Sequence, residues 1–281
     1  MKAAADWAPA GADQAGFLDR PGARLYYEVA GEGPALVFAH GLGGNHLSWW
    51  QQVPFFRDRY RCVTFAHRGF APSTCDGPVD PAAFADDLEA LLAHLGIDRF
   101  AIVGQSMGGW CALEMALRAP GRVRAMVLAA TSGTLDPRAP DPARFAAWTQ
   151  ESDAIRADWR KRGIHPALGS RAAQARPDLH HLYRAVDALA HALDKDALRA
   201  RLFATRRRAL ADVANLAVPT LFATGGEDRV FPSYVADALA AGFPDARRVD
   251  FPTAGHSAYF EVPEAFNRAV DSFLAAAGAA R

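Results

Sequence analysis

Four short, nearly unbroken apolar runs, set apart by stretches of helix length, constrain this chain most. They are Ala35–Ala39 (ALVFA), Arg61–Phe65 (RCVTF), Phe100–Val103 (FAIV) and Val123–Ala129 (VRAMVLA). Runs of this kind suit strands buried on both faces. The segments between them read as helices over Ser48–Arg57, Pro81–Leu95 and Ser106–Arg118, with Pro81 placed to start its helix and Gly96 to stop it. Strands alternating with such helices predict right-handed crossovers and a mostly parallel sheet, an α/β fold. Arg24–Ala30 (RLYYEVA) alternates and reads as a further strand before the turn Gly31-Glu32-Gly33-Pro34.

The alternation stops after Thr131. From Ser132 to Asn215 the sequence is helical and basic, with fifteen Lys and Arg against nine Asp and Glu between Gly133 and Leu210. The simplest reading of that excess is a solvated helix face. Strand patterns resume at Pro219–Thr224 (PTLFAT) and Arg247–Phe251 (RRVDF), with a helix at Tyr234–Ala241 between them and a last one at Pro263–Ala276. The chain therefore divides into a core of residues 17–131 and 216–278, a helical cap of residues 132–215 over the carboxyl edge of the sheet, and an N-terminal extension of residues 1–16.

Composition narrows the partners. Half of the 281 residues are hydrophobic (51%), enough for a substantial core. Lys and Arg equal Asp and Glu at 31 each, so nothing in the charge points to nucleic acid or an anionic membrane, and a small-molecule substrate is expected. Oligomeric state is not readable. Cys62, Cys75 and Cys111 are odd in number and lack framework spacing, which fits a reducing compartment. Met1–Gly16 has no continuous apolar stretch and no membrane-spanning run occurs, so a cytoplasmic location is expected.

The chemistry gathers where strands end. Gly104-Gln105-Ser106-Met107-Gly108 follows one buried strand and opens a helix, the setting of a nucleophile elbow: a sharp turn exposes the Ser106 hydroxyl, and the glycines let helix and strand approach. His40-Gly41-Leu42-Gly43-Gly44 follows another strand, and its backbone can meet a developing oxyanion. The N–H groups of Leu42 and Met107 are the expected donors, with His40 bracing the loop. Asp228, in Gly225-Gly226-Glu227-Asp228, follows the strand PTLFAT, and His256 follows RVDF. A serine hydroxyl is a poor nucleophile without a base, so His256 takes its proton and Asp228 orients the imidazole. Glu227 competes with Asp228 for that role. Asp228 is preferred because Asp228-Arg229-Val230-Phe231-Pro232 resembles the acid-then-proline spacing usual in a known hydrolase family. Trp49, Trp50, Trp110, Phe231 and Tyr259 flank these motifs. Trp49, Trp110, Phe231 and Tyr259 are the candidate substrate contacts, and Trp148 and Trp159 are weaker ones in the cap. His180, His181 and His191 fall on one expected helix of the cap, with His165 nearby; none has metal-ligand spacing, so they read as surface or cap-packing residues and no metal site is expected.

Together HGLGG (40–44), GQSMGG (104–109), GGEDRVFP (225–232) and AGH (254–256) make the chain resemble the α/β-hydrolase superfamily from Phe17 to Ala276. The resemblance implies a mostly parallel eight-stranded sheet with helices on both faces, a helical cap insertion, and no cofactor. Serine at the elbow argues against the family's haloalkane dehalogenases and epoxide hydrolases, which use aspartate there. One segment departs: where many members carry Asp-x-Arg-Gly-x-Gly-x-Ser, residues 66–73 read AHRGFAPS, with Ala66 and Ala71 in place of Asp and Gly. That change is expected to alter the loop bordering the pocket. The reading is a serine hydrolase cleaving a carboxylic ester or lactone of a small, largely apolar substrate through an acyl-enzyme. The alternatives are C–C bond hydrolysis of meta-cleavage-type vinylogous diketones, cofactor-free perhydrolysis, and a non-catalytic ligand-binding module.

Overall fold

The structure, a computed structural model, describes residues 13–279. The strands are β1 (Gln14–Arg20), β2 (Ala23–Ala30), β3 (Ala35–Ala39), β4 (Arg61–Phe65), β5 (Thr74–Cys75), β6 (Phe100–Gln105), β7 (Val123–Ala129), β8 (Thr220–Gly225) and β9 (Ala246–Phe251). They form a nine-stranded sheet in the order β1-β2-β4-β3-β6-β7-β8-β9, with β5 pairing β2. β1, β4 and β5 lie antiparallel to β2, while the pairs from β4 through β9 are parallel. The chain leaves β3 for β4 on one side and later places β6 on the other. The carboxyl ends of β3 and β6 thus flank a topological switch point, where open α/β sheets bind ligands.

The helices are α1 (Val53–Phe56), α2 (Phe84–His94), α3 (Gly108–Arg118), α4 (Pro142–Lys161), α5 (Ser170–Ala175), α6 (Pro177–Ala188), α7 (Lys195–Ala204), α8 (Leu210–Val213), α9 (Val235–Ala240), α10 (Ala258–Glu261) and α11 (Pro263–Ala276). Every residue of β3 is buried, and its neighbours in sequence serve opposite faces. Leu36 and Phe38 pack with Phe56 of α1 and Phe266, Val270 and Phe273 of α11. Val37 and Ala39 pack with Leu88, Leu91 and Leu92 of α2 and Leu113 of α3. Phe84, Leu88, Leu91 and Leu92 recur at helical spacing, so α2 presents one apolar stripe to the sheet. Each such side chain contributes about 1.5–3 kcal/mol when fully buried.

Helices α4–α8 form one insertion between β7 and β8. Asp141 and Asp194 cap α4 and α7, their side chains accepting from the N–H groups of Arg144 and Ala197 (both 2.9 Å). The two ends of the insertion are tied together on the core. Arg208 N–H donates to Thr134 O (3.1 Å), and Asp136 N–H to Arg208 O (3.2 Å). Glu114 of α3 accepts from the Arg208 guanidinium (2.8 and 3.0 Å) and the Thr134 hydroxyl (2.7 Å).

Four expectations need correction. The sheet has nine strands, because Thr74–Cys75 adds a two-residue edge strand beside β2. β1 begins at Gln14, so Gln14–Gly16 belong to the core; of the expected extension, residues 1–12 lie outside the described residues. The helix expected over Ser48–Arg57 is broken into a 3-10 turn at His46–Trp49 and the short α1. Pro54 has no N–H to continue a helix begun earlier and is tolerated only in a first turn. Finally, α6 ends at Ala188, so His191 is not on the helix of His180 and His181.

Candidate active site

β6 ends at Gln105 and α3 begins at Gly108, so the chain must reverse within Ser106 and Met107. Ser106 takes a left-handed conformation (φ +49°), which costs a non-glycine residue about 1–2 kcal/mol. The turn is held by Ser106 N–H donating to Ala129 O (2.9 Å). A Cβ at Gly108 would lie 2.0 Å from the Ala39 carbonyl oxygen, so only glycine lets α3 start this close to β3. On the β3 side, a Cβ at Gly41 would meet Gln105 Oε1 at 2.1 Å and Ser106 Cβ at 3.1 Å. The glycine-rich loop therefore lies directly against the Ser106 turn.

His40 explains how that loop keeps its shape. It is fully buried; its Nδ1–H donates to Gly41 O (2.8 Å), and its Nε2 accepts from His67 N–H (2.9 Å). Burial pushes the His40 imidazole down to about 3, so the ring stays neutral and keeps one donor and one acceptor. Among the described residues, the N–H groups of Leu42 and Met107 donate to no protein acceptor, and both residues line the cavity that Ser106 lines.

Asp228 and His256 stand at the carboxyl ends of β8 and β9. His256 Nδ1–H donates to Asp228 Oδ2 (2.8 Å), while Asp228 Oδ1 accepts from the N–H groups of Val230 (2.6 Å) and Phe231 (2.9 Å). Both side chains are buried. With Nδ1 committed to the carboxylate, Nε2 is the ring atom left for proton transfer. Glu227 turns away and accepts from Arg171 Nε (2.8 Å). The His256 loop is held from below by Gln105 Nε2 donating to His256 O (3.1 Å). Glu261 holds it from the side: its carboxylate accepts from Gly255 N–H (2.9 Å), Ser257 N–H (3.2 Å) and Gly169 N–H of the insertion (3.0 Å). Burial pushes Glu261 up to about 7 against the pull of these three amides.

Ser106, His256, Leu42, Met107, Trp110 and Phe231 line one cavity of about 400 Å³ between the sheet edge and the insertion. Two aromatic candidates do not reach it. Trp49 is wholly buried between Phe38 (5.1 Å between ring centroids) and Tyr259 (4.7 Å), and Tyr259 packs onward against Phe266, so both are core. Their positions beside the motifs reflect the packing of α11 on the sheet. Trp50 is exposed, and Trp159 belongs to a small cluster with Ile164 and Ala173. Trp148 does line the cavity. Residues 66–73 do not border it: Ser73 Oγ accepts from Tyr26 N–H (2.8 Å) and donates to Ala66 O (2.7 Å), and Arg68 donates twice to Asp87 (both 2.6 Å).

The insertion supplies wall residues that no motif announces. His165 lines the cavity rather than the surface, its ring tilted against Tyr183 (4.9 Å between centroids) with its Nε2 3.6 Å from Asp187. His180 Nε2 accepts from His165 N–H (3.0 Å) and so fixes that turn. Lys195 Nζ donates to Asp187 Oδ1 (2.7 Å). The spacing of Tyr183 and Asp187, four apart on an amphipathic helix, is the one sequence signal that puts them on a common face.

Comparison with known proteins places this geometry in a family. A family model described as the alpha/beta hydrolase fold matches residues 34–263. A protein named "Putative non-heme bromoperoxidase BpoC" from Mycobacterium tuberculosis is 32% identical over 265 residues, covering 89% of this chain and 97% of its own. 3-oxoadipate enol-lactonase 2 of Acinetobacter baylyi is 27% identical over 259 residues, covering 89% of this chain and 92% of its own. The crystal structure of a hydrolase from Pseudomonas aeruginosa superposes with a TM-score of 0.73 at 28% identity, covering 93% of this chain and 98% of that one. The chain belongs to the α/β-hydrolase family and is a hydrolase of that family.

Proposed function

We propose that this hydrolase cleaves the carboxylic ester or lactone bond of a small, largely apolar substrate through an acyl-enzyme on Ser106, with residues 132–215 acting as the cap over the site. The observation that carries this reading is the His256–Asp228 hydrogen bond (2.8 Å), which leaves Nε2 of a cavity-lining imidazole free on the wall it shares with the strained Ser106. His256 Nε2 takes the Ser106 proton as Oγ attacks the carbonyl, and Asp228 stabilises the imidazolium that forms. The N–H groups of Leu42 and Met107 receive the oxyanion; one such donor is worth roughly a hundredfold or more in turnover. His256 then protonates the leaving alcohol, and water, deprotonated by the same imidazole, releases the acid. Trp110, Trp148 and Phe231 on the cavity wall favour an apolar substrate body. The enol-lactonase among the relatives supports the ester or lactone class.

Ser106→Ala tests the reading. Turnover of short p-nitrophenyl esters is expected to fall by about four orders of magnitude or more with the fold retained. A fluorophosphonate probe is expected to label the native protein at Ser106 and to leave the variant unlabelled. Undiminished esterase rates in Ser106→Ala refute the assignment.

A further inference from the structure

The cavity has a cationic wall, and its cations are not equivalent. Arg138, Arg156, Lys195, Arg199 and Arg206 line it, against the single carboxylate of Asp187 among the described residues. Four of the five cations have a carboxylate of their own. Arg138 pairs with Asp136 (2.8 Å), Lys195 with Asp187 (2.7 Å), Arg156 with Asp153 and Arg199 with Asp196. Arg206 has none among the described residues. The acid whose field reaches it, Asp136, has its two carboxylate oxygens on Arg138 (2.8 Å each). The Arg206 guanidinium lies instead over the rings of Trp110 (4.8 Å to the centroid) and Phe203 (4.6 Å), and its Nε is buried without a hydrogen-bond partner.

A guanidinium between aromatic faces stays charged at neutral pH, so burial raises the cost of leaving that charge without a counter-ion. Burial already draws Arg206 down to about 10, in the direction that penalises the cation. An apolar substrate filling the cavity displaces water and raises the cost, unless the substrate brings a counter-ion. We infer that Arg206 binds a carboxylate on the acyl portion of the substrate, a few bonds from the carbonyl that Ser106 attacks. This assignment rests on the acyl-enzyme reading above. A carboxylate matches the planar fork of one guanidinium, whereas a dianionic phosphate calls for more uncommitted positive charge than this wall offers. Arg206 lies over the ring of Trp110, which stands four residues after Ser106 on the helix that the Ser106 turn opens, and the Trp110 indole N–H donates to Thr205 Oγ1 (2.9 Å). That link to the residue that carries the acyl group is the ground for placing the carboxylate on the acyl portion.

Two experiments, one without turnover, test the subsite. Tryptophan fluorescence, which reports on Trp110 and Trp148, follows binding of pentanoate and of its neutral isostere pentanamide. The native enzyme is expected to prefer pentanoate by about thirtyfold or more, and Arg206→Gln to abolish the preference. Turnover is then compared for mono-p-nitrophenyl glutarate and p-nitrophenyl pentanoate. The native ratio of kcat/KM is expected to favour the carboxylated ester and to fall about thirtyfold in Arg206→Gln. Arg206→Lys keeps the charge but not the fork and is expected to fall between them. Arg207→Gln, one residue along on the solvent side, is expected to keep the native ratio. Loss of packing alone lowers both esters together and leaves the ratio unchanged, which overturns the inference; so does equal binding of pentanoate and pentanamide by the native enzyme. Failure to hydrolyse either ester, with the binding preference intact, counts against the acyl-enzyme reading and not against the anion subsite.

Discussion

The two walls of the cavity are built on different principles. On the sheet side, position comes from backbone: the reversal at Ser106, the contact of Gly108 with β3, and the amides of Val230 and Phe231 that fix Asp228. On the insertion side, position comes from side chains holding one another, as His180, His165, Asp187 and Lys195 do in sequence. A backbone scaffold admits one geometry and so carries the shared chemistry. A wall of paired side chains can be re-dealt by single substitutions and so carries the choice of substrate.

Four changes would break or sharpen that contrast. The largest effect is expected from Asp228→Asn, which keeps the shape of the pair but favours the wrong tautomer of His256; kcat should drop by about 10⁴-fold with an unchanged denaturant midpoint. A loss of less than tenfold would show that the sheet-side scaffold does not set the chemistry. Trp49→Ala comes next. Because this ring is core, stability should fall by about 3–5 kcal/mol in urea titration. Trp148→Ala on the insertion wall should instead change KM for apolar esters with a much smaller stability cost, and reversed outcomes would undo the distinction drawn between these two rings. Glu261→Gln sets an amide NH2 against backbone N–H donors, so it should cost about 1–3 kcal/mol and lower kcat more than it changes KM. An effect on stability alone would restrict Glu261 to the fold.

The smallest effect is on pH dependence. Burial lowers His40 to about 3, His46 to about 4, and His67 well below 6.5. Each stays neutral in the folded protein while the unfolded chain takes up a proton below 6.5. Their contribution is therefore complete above pH 6.5 and is lost as pH falls toward those folded values. Glu261 opposes them: raised from 4.5 to about 7, it favours folding more as pH falls from 7 to 4.5. His180 is lowered by burial as well, and Glu28 is raised by it. With four imidazoles against two carboxyls, the urea midpoint should be lower at pH 5 than at pH 7, and an equal or higher midpoint at pH 5 would refute the buried-imidazole account.

What the sequence disclosed follows the same division. ALVFA, RCVTF and VRAMVLA are strands at the expected limits, because a strand buried on both faces leaves no choice of residue type. Ser106, Asp228 and His256 were legible because strand ends and glycine turns mark them. β1 was not, since Gln14–Arg20 lies on the sheet edge and is only partly buried. Trp49 and Tyr259 stand beside motifs in the text but point into the core, and proximity in sequence does not say which face a ring takes. His165, Asp187 and Arg206 were illegible for a deeper reason. Their roles depend on how α4–α7 pack together, and an arginine among fifteen basic residues of the insertion region carries no mark of being the one on the cavity wall without a carboxylate.

The corner where Gly169 meets Gly255 has a kinetic consequence. A Cβ on Gly255 would lie 2.2 Å from Gly169 N, and Glu261 grips the amides of both residues. The insertion is riveted there to the segment that bears the His256 imidazole, the proposed base. Substrate traffic that required this seam to part would pull His256 out of register on each cycle, so entry and exit should run past the opposite rim, with the rivet serving as a fixed pivot.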